Sequence, residues 1–187
     1  LMAHGDGVEK PSDLTAGMIA HWKADGDAKD AVGSLHGKMW MAEFAPGVRG
    51  QAFDFAAPSR TAVIIGESAL NESYPALTVA AWVNARSHGR SIRGDKGRTV
   101  ISRTEDGGFA LRVKEGVIEL DLHTEVEDRR THWLKFPGAE VPLHTWVLIV
   151  ATYDGQAVRA YLDGKALPSS LPVTGSITVS YTHLTLP

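Results

Sequence analysis

The chain has 187 residues, 43% of them hydrophobic and 22% charged, with a formal net charge of −3 and no cysteine. That size and balance suit one globular domain with a substantial core, and the small net charge offers neither a basic field for nucleic acid nor a strongly acidic tail. The lack of cysteine excludes disulfides, thiolate metal sites and thiol catalysis, and no run approaches the roughly 18 apolar residues needed for membrane insertion.

Residues 1–13, LMAHGDGVEKPSD, are polar and broken by Gly and Pro, which predicts a linker leaving an earlier domain of a larger parent protein. A first strand is expected at MIAHWK (18–23). Next, DGDAKD places Asp25, Asp27 and Asp30 within six residues. A hard cation such as Ca²⁺ needs several oxygen ligands, and a turn studded with Asp supplies them. The spacing is not an EF-hand loop, since Lys29 stands fifth. The competing reading is a set of Asx turns, in which each carboxylate accepts from nearby backbone amides.

Further strands are expected at AFDFA (52–56), TAVIIG (61–66) and LTVAAWVNA (77–85), with one helical turn conceivable in GESALNES (66–73). The basic run RSIRGDKGR (90–98) carries Ser and Gly and reads as a solvated loop. Strand signals resume at TVISR (99–103), FALRVK (109–114), VIELDLHT (117–124), WVLIVATY (146–153) and AVRAYLD (157–163). Turn residues that tolerate positive φ separate several of them: Asp106-Gly107-Gly108, Glu115-Gly116, Asp154-Gly155 and Asp163-Gly164. Such turns predict antiparallel hairpins, and a run of short strands predicts an all-β two-sheet sandwich or barrel. WVLIVATY is apolar on both faces and should be a central strand covered on both sides.

Alternation in VIELDLHT puts Glu119, Asp121 and His123 on one face, with Glu125 continuing the series, and the aliphatic residues on the other. The polar face is expected to meet solvent or a ligand. Catalysis by this row is not expected. Glu119 and Glu125 would stand roughly 20 Å apart along an extended strand, whereas paired glycosidase carboxyls lie about 5 to 9.5 Å apart. Among aromatics, Trp22, Trp82 and Trp146 lie in predicted strands and read as core. Trp40, Tyr74, Trp133 and Phe136 lie in loop-like sequence, where they serve either as caps on the core or as stacking surfaces for a ligand. No histidine spacing suits a metal, and neither a G-x-S-x-G elbow nor a P-loop occurs.

Four stretches, MIAHWKADGDAKDAVGSLHGK (18–38), FAPGVRGQAFDF (44–55), ALTVAAWVNARS (76–87) and HTWVLIVATYDGQAVRAYLDGKAL (144–167), resemble the laminin G-like, concanavalin A-like jelly-roll domains of secreted bacterial proteins. The resemblance spans nearly the whole chain from about Leu14, giving a domain at 14–179. It implies a two-sheet antiparallel jelly-roll sandwich. It also implies a non-catalytic module of an exported, extracellular or cell-surface protein that binds glycan or another extracellular surface ligand. One departure is visible: the closing C-terminal strand usual in the family is missing. In its place the ending VSYTHLTLP resembles translated adapter read-through, so residues 180–187 are expected to be non-native.

The leading expectation is a carbohydrate-binding module using Trp40, Glu119, Asp121, His123 and Trp133, with Asp25, Asp27 and Asp30 holding a structural Ca²⁺. The alternative from another class is a spacer or protein–protein module without a sugar site, and a glycoside hydrolase is the minority reading. Any ligand is expected on a sheet face or loop edge, because a sandwich fills its interior with side chains.

Overall fold

The computed structural model describes residues 16–55, 61–66, 73–88, 97–103, 108–124, 130–138 and 140–178. The expected linker (1–13), the ending (180–187), most of the basic run and most of the conceivable helical turn at 66–73 lie outside them. Among the described residues every regular element is a β-strand, and all strand pairing within sheets is antiparallel. The chain divides into two compact units, residues 1–69 and 70–187.

In the first unit, β1 (Gly37–Trp40) pairs with β4 (Ala62–Ile65), and β2 (Glu43–Pro46) pairs with β3 (Gln51–Asp54). Phe44 stands opposite Phe53 with ring centroids 5.8 Å apart, and Phe53 lies 6.2 Å from Phe55. The strand expected at 18–23 does not form; only Trp22 makes an isolated bridge, to Asp30. The reason is local competition. Asp30 takes the amide of His21, Ala31 donates back to the His21 carbonyl at 2.8 Å, and the Trp22 indole Nε1 donates to the Leu35 carbonyl at 2.7 Å. Side-chain capping of this kind offers the backbone an alternative to a ladder.

The second unit contains two four-stranded sheets. One has the order β12-β11-β10-β5, from β5 (Leu77–Asn84), β10 (Trp146–Tyr153), β11 (Ala157–Leu162) and β12 (Lys165–Pro172). The other has the order β6-β7-β8-β9, from β6 (Arg98–Arg103), β7 (Phe109–Lys114), β8 (Val117–Thr124) and β9 (Arg130–Phe136). The β7–β8 hairpin turns on Glu115 and Gly116, both at positive φ (51° and 81°). That is the two-residue type I′ signature, whose twist matches that of the strands. A Cβ on Gly116 would stand 2.7 Å from Glu140 Cγ, so a larger residue would also have to displace the exposed Glu140 side chain. Asp163 and Gly164, at φ 49° and 76°, repeat the device between β11 and β12.

One apolar cluster joins the two sheets: Val147, Ile149, Ala151, Tyr153, Val158 and Ala160 from the first, and Leu111, Val113, Ile118, Leu120, Leu122 and Phe136 from the second. The second unit is therefore a β-sandwich, with every alternate residue of the inner strands committed to the core.

Several sequence expectations need correction. Strands β1, β2, β9 and β12 were not anticipated. KALPSSLP hid β12 behind Pro168 and Pro172, which are tolerated because β12 is an edge strand. Trp40, Trp133 and Phe136, expected in loops, lie in strands. Phe136 points inward and is fully buried. Trp82, expected in the core, is 52% exposed because it faces away from Val79 and the cluster. WVLIVATY is central as expected, between β5 and β11, but only Val147, Ile149, Ala151 and Tyr153 are buried. Its other face is half-buried, with Trp146 and Leu148 beside the exposed Trp82.

Candidate functional site

The polar row of β8 projects from the outer face of the β6–β9 sheet. Directly opposed residues in an antiparallel pair share a face. Glu119 is opposed by Arg112 on β7 and Lys135 on β9, Asp121 by Ala110 and Trp133, and His123 by Thr131 on β9. One face thus gathers Glu119, Asp121, His123 and Trp133, four of the expected ligand-binding residues. Trp133 is 74% exposed, the most exposed large hydrophobic residue described. His123 is half-buried.

The carboxylates depart from the sequence reading. Glu119 and Asp121 are not solvated; both are buried, as is Arg112. Burial is tolerated because each acid has a cation. Arg112 Nη1 contacts Asp121 Oδ2, and Lys135 Nζ lies 3.2 Å from Glu119 Oε1. A charge removed from water is costly unless paired. Burial lowers the Arg112 guanidinium's pKa, and the nearby Glu119 charge pushes it back up. Two atoms of this group have no hydrogen-bond partner among the described residues, Arg112 Nε and Asp121 Oδ1.

Sequence reasoning missed Arg112 and Lys135. Arg112 was within reach. A two-residue turn at Glu115-Gly116 sets Lys114 against Val117, and counting back places Arg112 opposite Glu119. Lys135 was not within reach, since no turn signal set the β8–β9 register. Glu125 lies outside the described residues.

Trp40, 53% exposed, stands at the end of β1 in the first unit beside the exposed Met41.

The three aspartates of the first unit do not converge. Asp25 Oδ1 accepts from the Gln51 amide at 3.1 Å, next to Gly50, where a Cβ would collide with the same carboxylate. Asp27 Oδ1 accepts from the Lys29 amide at 3.0 Å, an Asx turn. Asp30 is buried and accepts from His21 and Val32 through Oδ1 at 2.9 and 3.0 Å, and from Leu35 through Oδ2 at 3.1 Å. Burial alone would raise its pKa; the amides of His21, Val32, Gly33 and Leu35 together outweigh that and hold it at about 2. A carboxylate ringed by N–H donors has its lone pairs directed at amides rather than at a cation. Among the described residues no group of three or more His, Asp or Glu side chains is placed to hold a metal ion.

Comparisons with known proteins agree with this architecture. Residues 59–186 match the family profile Laminin_G_3, described as the concanavalin A-like lectin/glucanases superfamily. No curated protein matches the chain. Solved structures that share the fold include the following two. The binding domain of Paraclostridial Mosquitocidal Protein 1 aligns at a TM-score of 0.59 with 12% identity, covering 80% of this chain and 40% of that one. Domain 4 of AbnA, a GH43 extracellular arabinanase from Geobacillus stearothermophilus, was solved in complex with arabinotriose. It aligns at a TM-score of 0.54 with 16% identity, covering 86% of this chain and 77% of the other. The chain therefore spans about two fifths of the mosquitocidal binding domain's solved chain.

Proposed function

Because the chain belongs to the concanavalin A-like lectin/glucanases superfamily, we propose that it is a non-catalytic, carbohydrate-binding module of an exported protein, with its site on the outer face of the β6–β9 sheet. The observation that carries this reading is Trp133. A tryptophan 74% exposed in the middle of a strand, directly opposed by the carboxylate-bearing Asp121, leaves a large apolar surface in water beside hydrogen-bonding groups. Sugar rings present the complementary pair, an apolar face of C–H groups and an edge of hydroxyls. An indole covers the first, and charged or amide groups hold the second. The AbnA domain, bound to arabinotriose, supports the reading at the level of a shared fold.

The arrangement favours binding over hydrolysis. A glycosidase needs one carboxyl to arrive protonated and a second to attack or to activate water. Glu119 and Asp121 instead each face a cation, Lys135 and Arg112. The site is shallow, so little area is buried against the cost of ordering a flexible sugar. Affinities near micromolar or weaker, about −8 kcal/mol, are expected.

The test is a glycan array followed by titration of the best binder against the wild type and Trp133→Ala. Loss of binding in the variant, with an unchanged melting temperature and no release of reducing sugar by the wild type, supports the module. Absence of any glycan ligand would favour a spacer or protein–protein module.

A further inference from the structure

Strand β5 ends its sheet, with β10 on one side and no strand paired along the other among the described residues. An unpaired strand edge recruits other strands, and proteins blunt such edges with charge, proline or a bulge. The other three sheet edges of the second unit carry those devices. Strand β12 has Lys165, Pro168 and Pro172. Strand β6 has Arg98, Arg103 and a register shift between Thr99 and Ile101, and β9 has the exposed Lys135. Strand β5, LTVAAWVN, has no charge and no proline, and its register with β10 runs unbroken.

The backbone groups that this edge presents follow from the ladder. Leu148 on β10 directs both of its own toward β11: its carbonyl accepts from the Asp163 amide at 2.9 Å, and its amide donates to Asp163 Oδ1 at 2.8 Å. Leu148 stands opposite Trp82, so theirs is the kind of antiparallel pair whose backbone groups point away from each other. Trp82, and by alternation Thr78, Ala80 and Asn84, therefore aim N–H and C=O at the open edge. All four residues are exposed. Ala85 has the opposite parity, and its carbonyl accepts from the His144 amide on the β10 side.

From this edge we infer that two copies of the chain pair antiparallel through β5, about a two-fold axis at Ala81, joining their four-stranded sheets into one. The partner is a second copy because the strand is complementary to itself, as a two-fold interface requires. Centred on Ala81, TVAAWVN sets Thr78 against Asn84 of the other copy, Val79 against Val83 and Ala80 against Trp82. Opposed residues share a face. Valine meets valine on the inner face; on the outer face polar meets polar, and the large indole meets the small alanine. The four residues that point outward are also one another's partners in this register, so each free N–H finds a C=O. No charge is opposed to another.

Sedimentation velocity of the full chain from about 1 to about 100 µM reads the association, a range suited to a small, transient interface. The wild type should shift with concentration from the 20.1 kDa monomer toward twice that mass. Ala80→Pro removes an outward N–H and no bond to β10, as edge-strand prolines do. It should melt like the wild type and dimerise at least tenfold more weakly. Thr78→Lys/Asn84→Lys opposes like charges at both ends of the pair, and Thr78→Glu/Asn84→Glu does the same. Each alone should stay monomeric, whereas an equal mixture should dimerise at least as tightly as the wild type. Both positions are exposed, so the charge variants decide the matter if Ala80→Pro fails to fold. A wild type that remains monomeric at the highest concentration overturns the inference and leaves the edge to a strand of another partner. A dimer that survives in both charge variants overturns it too, since association then uses another surface. So does loss of the dimer without recovery in the mixture, which excludes the register about Ala81.

Discussion

Two regions of this molecule concentrate carboxylates, and their chemistry differs. In the loop of the first unit, Asp25, Asp27 and Asp30 accept hydrogen bonds from main-chain amides, and Asp30 takes several. On the β6–β9 sheet of the second unit, Glu119 and Asp121 are held by the side chains of Lys135 and Arg112, and Arg112 Nε and Asp121 Oδ1 have no hydrogen-bond partner among the described residues. Main-chain donors are fixed by the fold, so a carboxylate that they satisfy acts as a staple. Side-chain donors can exchange partners, so a carboxylate they hold can hand part of its bonding to an incoming group. Clustered acids in sequence announce both situations alike. Who donates to them tells the two apart.

The largest test of this contrast is to remove one side-chain partner. Asp121→Ala removes the carboxylate that contacts the buried Arg112 guanidinium and leaves it only the Glu119 charge, and should cost up to about 3–5 kcal/mol in a denaturant titration. A cost below about 1 kcal/mol would mean that Arg112 escapes to water and that this face is less enclosed than its burial indicates.

Asp30 is the corresponding test of the staple. Its carboxyl is held at about 2 against an ordinary value of 3.8. A folded pKa below the unfolded one means that the group stabilises the protein above the unfolded value. That contribution is lost as pH falls from about 4 through about 2. The linked stabilisation is on the order of 2 kcal/mol. Asp30→Asn should remove most of it at pH 7 and flatten the acid limb of the stability curve between those values. An unaltered acid limb would show that the backbone amides do not govern Asp30.

Smaller in energy but decisive for function, Trp133→Ala should weaken glycan binding about tenfold or more, roughly 1.4 kcal/mol. Trp82→Ala offers the matched control. Trp82 is also exposed, at 52%, yet its neighbours across the sheet are the apolar Leu148 and, diagonally, Trp146. It should leave glycan binding unchanged. If Trp82 proved the more important of the two, the site would lie on the opposite face of the sandwich.

The smallest expected effect concerns calcium. The aspartates face amides and do not converge, so melting temperatures in calcium and in chelator should coincide. A rise of about 2.7 kcal/mol in stability at a hundredfold excess over the dissociation constant would restore the loop as a metal site.

Much of the β architecture was readable from residues alone. FALRVK, VIELDLHT and WVLIVATY match β7, β8 and β10 residue for residue, because period-2 alternation and the Gly-containing turns mark both span and facing. Strand β9 was not readable. RTHWLKF alternates, but with His, Leu and Phe inward and Trp outward, which inverts the usual rule that the largest apolar group is buried. Nor was the loss of the first strand, since the capping by Asp30 depends on amides that a chain closure brings to it.

What the sequence determined by itself was strand content, the hairpin turns and the alternation that sorts Glu119, Asp121 and His123 from their aliphatic neighbours. These are local properties, set by φ preferences and by the two-residue repeat of an extended chain. The tertiary structure decided which of those polar groups are buried, which cation each acid meets, and which tryptophan stays in water. Those outcomes depend on the pairing of strands that the sequence leaves unordered, and a charge placed on a strand becomes a partner, a staple or a site only once its neighbours across the sheet are in place.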